Sequence, residues 1–237
     1  MSTRSMRNAL VLATLAIFAQ PMVAAAAEGD WVFRAGVGNV NPKDNNATLP
    51  GALGPPLGGA EIDVDSATSA TFELVYMFAD RWGVELFAPW VFNHDVEVAG
   101  TPDIADVDLW PAVLGLQYHF NPDGRFRPYV GAGLNYSTFS SENAKGVLAG
   151  ADLELDESFG AAAQVGADIG LGENWLLNLG VRWIDLDSDV KVNGADIVEA
   201  EIDPFVYQAQ VGYRFGRAAP AVAAAAVPVA AAPPPPA

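Results

Sequence analysis

The chain has 237 residues, 51% of them hydrophobic, with 29 acidic against 12 basic side chains and a formal charge of −17. That shortage of Lys and Arg argues against nucleic acid as a partner, because phosphate binding rests on those side chains. The absence of cysteine removes disulfides, thiolate metal ligands and cysteine nucleophiles together.

Residues 1–27 begin with Arg4 and Arg7, continue through a short apolar core at 9–18, and end in the small-residue run VAAAA. This is the pattern of a secretory signal peptide cleaved after Ala26 or Ala27. Its apolar core is too short for a spanning helix, which needs about 20 residues.

From residue 31 the chain alternates with the period of a half-buried strand, in segments at 31–40, 68–78, 82–92, 110–120, 126–139, 158–169, 175–183 and 205–215. The first sets Trp31, Phe33 and Val37 against Val32, Arg34, Gly36 and Gly38. The fifth, FRPYVGAGLNYSTF, sets Val130, Leu134 and Tyr136 against Tyr129, Gly131, Gly133 and Asn135. In water the less apolar face would favour large solubilising side chains, whereas glycine and alanine suit a confined interior. Aromatic residues such as Trp31, Trp82, Trp110, Trp175 and Phe215 sit at the ends of the greasy face, as in the girdles of a transmembrane barrel.

The connections sort by length. Residues 79–81, 121–124 and 172–174 form tight turns rich in Asn, Asp, Gly and Pro, while 41–67, 93–108, 140–157 and 184–203 are long. The pattern predicts an all-β fold: an eight-stranded antiparallel transmembrane β-barrel over residues 28–216, with short periplasmic turns and long extracellular loops. Lipid requires closure, because an open edge leaves backbone groups unpaired. Eight strands leave a bore that side chains fill or that admits one small ligand. Residues 217–237, almost all Ala, Val and Pro, are expected to form a disordered, extended tail.

Strand parity turns Arg34, Glu73, Glu85, Asp168, Arg182 and Arg214 inward. They form either a salt-bridged lumen plug or the lining of a transport path. Continued into the mouth, the same parity turns Ile184, Leu186 and Val190 inward, with Phe87, Pro89 and Val91 across from them. This set is a candidate apolar vestibule, or simply loop packing. The long connections hold most of the acid, in no spacing that matches a calcium loop, so no metal site is expected. Catalysis is not expected either, since His94, placed in a loop, and His119, placed near a turn, show no evident partner.

The ordered set WVFRAGVGNVNP, YMFADRWGVELFAPWVFNH, FRPYVGAGLNYSTF, SFGAAAQVGADIGLGENWLLNLGVRWIDLDSDVKVNG and DPFVYQAQVGYRF resembles the outer membrane protein W family from about Trp31 to Phe215. The resemblance implies an outer-membrane barrel of a Gram-negative bacterium, folded by the barrel assembly machinery and in contact with lipid and lipopolysaccharide. It implies a narrow apolar channel that receives small hydrophobic molecules, no enzyme activity and no cofactor. It also implies a channel constriction, at Phe87 and at the position of Arg182, where the best-known members carry tryptophan. Arg182 and the Ala/Pro tail depart from the family's pattern. The alternative to uptake is a structural barrel that contacts the cell wall through its tail.

Overall fold

The computed structural model describes residues 28–43, 47–55, 57–98 and 103–216, so the expected signal peptide and the tail at 217–237 lie outside the described residues. Its strands in chain order are β1 (Trp31–Asn41), β2 (Ala47–Thr48), β3 (Glu61–Val64), β4 (Ala67–Ala79), β5 (Trp82–Pro89), β6 (Phe92–Val98) and β7 (Ala105–His119). There follow β8 (Phe126–Ala144), β9 (Leu153–Leu155), β10 (Ser158–Gly170), β11 (Trp175–Ile184), β12 (Asp187–Val192), β13 (Ala195–Glu201) and β14 (Phe205–Phe215).

Strands β1, β4, β5, β7, β8, β10, β11 and β14 pair antiparallel in that order around a closed barrel. The seam runs from Trp31 opposite Phe215 to Asn41 opposite Phe205. Each strand turns its greasy face outward. Leu114 is 60% exposed and Val165 likewise 60%, while their neighbours Val113 and Gln164 are buried. At the short-turn end, Trp31 meets Tyr76 at 4.7 Å between ring centroids, and Trp82–Tyr118 and Trp175–Tyr213 each meet at 5.0 Å. Those pairs belong to the aromatic girdle that alternation predicts.

Two sequence expectations are corrected. The long connections are not simple loops, because β2, β3, β6, β9, β12 and β13 lie within them. With its 19 residues, β8 runs about 60 Å at the usual rise per residue, and β7, with 15, runs about 50 Å. Both far exceed the apolar band of roughly 25 Å that such barrels present. The barrel therefore continues outward as a wall, with β2–β3–β6 extending the sheet beside β7 and β13–β12–β9 forming a second sheet. An apolar cluster that includes Leu49, Ile62, Val98 and Ile104 packs with Val198 in this outer layer.

The second correction is in the third segment. It breaks between Pro89 and Phe92, and the alternation slips by one, so that Phe92 is fully buried and Val91 is not. A single extra residue exchanges the two faces of a strand.

Candidate functional site

The lumen is built in layers. At the short-turn end Val32, Val75, Met77 and Leu176 make an apolar cluster. Above it the inward charges meet. Arg34 on β1 donates to Glu73 on β4, and to Asp168 on β10 at 2.8 Å. Arg182 on β11 donates to Glu85 on β5 at 2.7 Å and to Gln164 at 3.0 Å, and lies 3.6 Å from Glu73.

Gln117 on β7 donates to both Glu73 and Glu85, and Asn178 donates to Asp168 at 2.8 Å and to the Tyr129 hydroxyl at 3.0 Å. Arg34 lies 5.0 Å from the Tyr129 ring centroid and Arg182 4.4 Å from that of Phe87. All of these groups are buried. Glycines make the room: a Cβ on Gly166 would lie 2.5 Å from the Tyr129 hydroxyl.

Five of the six charges expected to face inward thus join one network that ties seven barrel strands together. Arg214 does not join; its Nη2 donates to the Glu173 carbonyl at 3.2 Å, beside a turn. Sequence reasoning passed over Gln117, Asn178, Tyr129 and buried Arg127, although each shares the inward parity of its strand. Polar residues at inward positions, uncharged in three cases and an arginine in the fourth, are the signal.

Above the ions lies a second seal, where Val40, Phe87, Phe92, Leu109, Val113, Ile184, Leu186 and Val206 pack as one buried cluster. Phe87, Ile184 and Leu186 are here; Arg182 sits one layer lower, under Phe87. Val190 stands higher still, in the wall of an outer cavity of about 120 Å³ that, among the described residues, is lined by Leu, Ile, Val and Ala. A smaller cavity of about 30 Å³ adjoins it and reaches down to Leu109, Phe139 and His94.

The wall beside this cluster is interrupted. Pairing of β5 with β7 ends at Phe87 opposite Val113, and pairing of β6 with β7 begins at Phe92 opposite Leu109. Between those pairs, residues 88–91 face only 110–112, an extra-residue bulge that contains Pro89 on one strand and Pro111 on the other. Neither proline has an N–H to give. The bond that bridges the interval is from the Trp110 indole, Nε1 to the Pro89 carbonyl at 2.9 Å, while the Trp90 N–H turns to Ala70 on the other side. Trp90 itself is 69% exposed.

Both histidines have hydrogen-bond partners, though neither partner is a nucleophile or an acid, and His94 lies on β6 rather than in a loop. His94 Nδ1 is 2.7 Å from the Asp65 carbonyl, and His119 Nε2 is 3.2 Å from Gln117 Oε1. Among the described residues neither imidazole is hydrogen-bonded to a hydroxyl. At the rim, Lys43 pairs with Glu201 and Asp203, Lys145 with Asp106, and Lys191 with Asp156. These exposed pairs contribute little each. Among the described residues no group of three or more His, Asp or Glu is placed to hold a metal.

Comparison with known proteins gives a consistent result. Residues 27–215 match the OmpW family. Outer membrane protein W of Vibrio cholerae serotype O1 is 37% identical over 216 residues, covering 86% of this chain and 97% of that protein. The crystal structure of the outer membrane protein OprG from Pseudomonas aeruginosa superposes with a TM-score of 0.75 at 34% identity, over 82% of this chain and 100% of that one. Dibenzothiophene metabolism operon protein PahQ of Pseudomonas aeruginosa is 29% identical over 197 residues, 80% of this chain and 90% of that protein.

Proposed function

The chain belongs to the OmpW family and is an outer-membrane barrel of Gram-negative type; from that premise we propose that it takes up small hydrophobic molecules at its outer face and releases them sideways into the membrane. The observation that carries this reading is the stacking of an apolar cavity over a lumen closed by buried ion pairs, beside an interrupted strand ladder. A hydrocarbon moving down the axis would have to part those pairs, and an unpaired buried charge costs several kcal/mol. A hydrocarbon leaving through the wall meets lipid tails as apolar as itself.

Leu109 marks the route. It lines the small cavity and is also the first β7 residue paired above the break. Opening there requires the Trp110–Pro89 hydrogen bond to yield, worth about 1 kcal/mol net. The name of PahQ ties that relative to dibenzothiophene metabolism, which supports apolar aromatics as the class. The reading is non-catalytic and needs no cofactor.

The chain lacks cysteine, so an introduced pair reports cleanly. Ala88 and Ala112 stand just beyond the last paired residues, Phe87 and Val113. In the Ala88→Cys/Ala112→Cys variant, uptake of a fluorescent naphthylamine by lipopolysaccharide-bearing vesicles is expected to fall on oxidation and return on reduction. Unchanged uptake in the cross-linked barrel would refute lateral release and leave the lumen as the path.

A further inference from the structure

The two outer cavities share Val64, Val96, Val107, Leu155 and Ile202 as common wall, and the smaller adds His94. Among the described residues His94 is the one polar side chain in either lining. Its residue is 4% exposed and its Nδ1 lies 2.7 Å from the Asp65 carbonyl oxygen. A carbonyl can only accept, so the ring proton sits on Nδ1 and Nε2 carries a lone pair. That Nε2 is buried and has no hydrogen-bond partner among the described residues. Burial also holds the imidazole below its ordinary 6.5, which keeps the ring neutral at neutral pH.

A buried acceptor left unmade costs about 1–3 kcal/mol, and native proteins rarely leave one so. Water answers the need poorly. A space of about 30 Å³ can hold a water molecule, but a buried water needs roughly two to four polar partners and this lining supplies one. A hydroxyl carried on a hydrocarbon needs no more than one, because the apolar cavity above accommodates the rest of the molecule.

We infer that His94 is the polar end of the ligand site, accepting a hydrogen bond from the single hydroxyl of a small, otherwise apolar molecule such as a phenol or short alcohol. This rests on the uptake reading and narrows its substrate class. A carboxylate would find no counter-charge in this lining and would be rejected by its desolvation cost.

The probes are p-cresol and its isostere p-xylene, titrated into the full chain in lipid nanodiscs, with partition into empty nanodiscs subtracted. Wild type is expected to bind p-cresol roughly tenfold more tightly than p-xylene, the size of one net hydrogen bond. His94→Phe, which keeps an aromatic ring and removes both nitrogens, is expected to bind the two alike. Equal affinities in wild type, with both probes saturable, overturn the inference and leave the uptake reading standing. Saturable binding of neither probe overturns both.

A second readout does not depend on the variant. The chain has only two histidines, so ¹⁵N-histidine labelling isolates His94 Nε2. Its resonance is expected to move with p-cresol and stay with p-xylene; no movement under saturating p-cresol overturns the inference.

Discussion

Arg182→Met tests whether the lumen is a structural plug. Methionine keeps the stem beside Phe87 and deletes the guanidinium, which has Glu85 at 2.7 Å, Gln164 at 3.0 Å and Glu73 at 3.6 Å. Glu73 retains Arg34, whereas Glu85 loses its only cation and keeps a hydrogen bond from Gln117. Both partner side chains are about 1% exposed or less, so no solvent replaces the lost charge. Breaking a buried pair from one side costs about 3–5 kcal/mol. Removing both charges, in Arg182→Met/Glu85→Gln, is expected to bring stability back to within about 1–2 kcal/mol of wild type, since a buried pair and a neutral isostere nearly break even. The assay is guanidinium unfolding of barrels refolded into vesicles, followed by the fluorescence of six tryptophans and by gel mobility. A single variant that loses less than about 1 kcal/mol, or a double variant no better than the single, would refute the paired-plug reasoning.

Gly36→Ala should strain the closing seam, because its Cβ would lie 2.2 Å from the Ala209 carbonyl oxygen on β14; a loss of about 1–3 kcal/mol is expected in the same unfolding assay. Gly172→Ala, with nothing within 4 Å of its Cβ, should stay within about 0.5 kcal/mol. Acid should loosen the outer sheet. His94 has a folded pKa held below 6.5 by burial, so the opened state takes the proton first, and stability present above that value is lost as pH falls through it. Hydrogen exchange of β6, corrected for its intrinsic pH dependence, should therefore quicken as pH falls below 6.5 in wild type and not in His94→Phe. Asp95, raised by its hydrogen bond to Asp106, acts in the opposite sense, but nearer the carboxylate range. Trp110→Phe removes the indole donor to Pro89 and should raise naphthylamine uptake; a rate equal to wild type would show that this bond does not limit opening.

The barrel was legible because lipid and lumen impose opposite chemistries on alternate residues, so parity alone assigned Glu73, Glu85 and Arg182 inward. Who pairs with whom was not legible. Strand tilt sets the height of each residue, and Arg34 meets Asp168 across the bore rather than beside it in sequence. Arg214 has the right parity but stands too near the turn to join. Turn ends were placed well by Asn121, Pro122 and Gly124. The outer ends were not, since the strands there are short and richly charged: Glu61-Ile62-Asp63-Val64 offers one buried side chain to read. The displaced Val91 shows the limit of extrapolation, for Pro89 and Pro111 were visible in the chain while the residue they displaced was not.

Arg34 and Asp168 are 134 residues apart and Arg182 and Glu85 are 97 apart. No single hairpin contains either pair, so neither can form until nearly all the strands have been laid down. A partly assembled sheet would therefore hold Arg34 on Glu73 but leave Asp168, Glu85 and Arg182 without these partners, together with two bare edges, and the bilayer rejects both. Joining β1 to β14 satisfies the last backbone groups and closes the lumen around these pairs. The residues that shut the finished lumen are thus brought together by closure of the barrel rather than by any one hairpin.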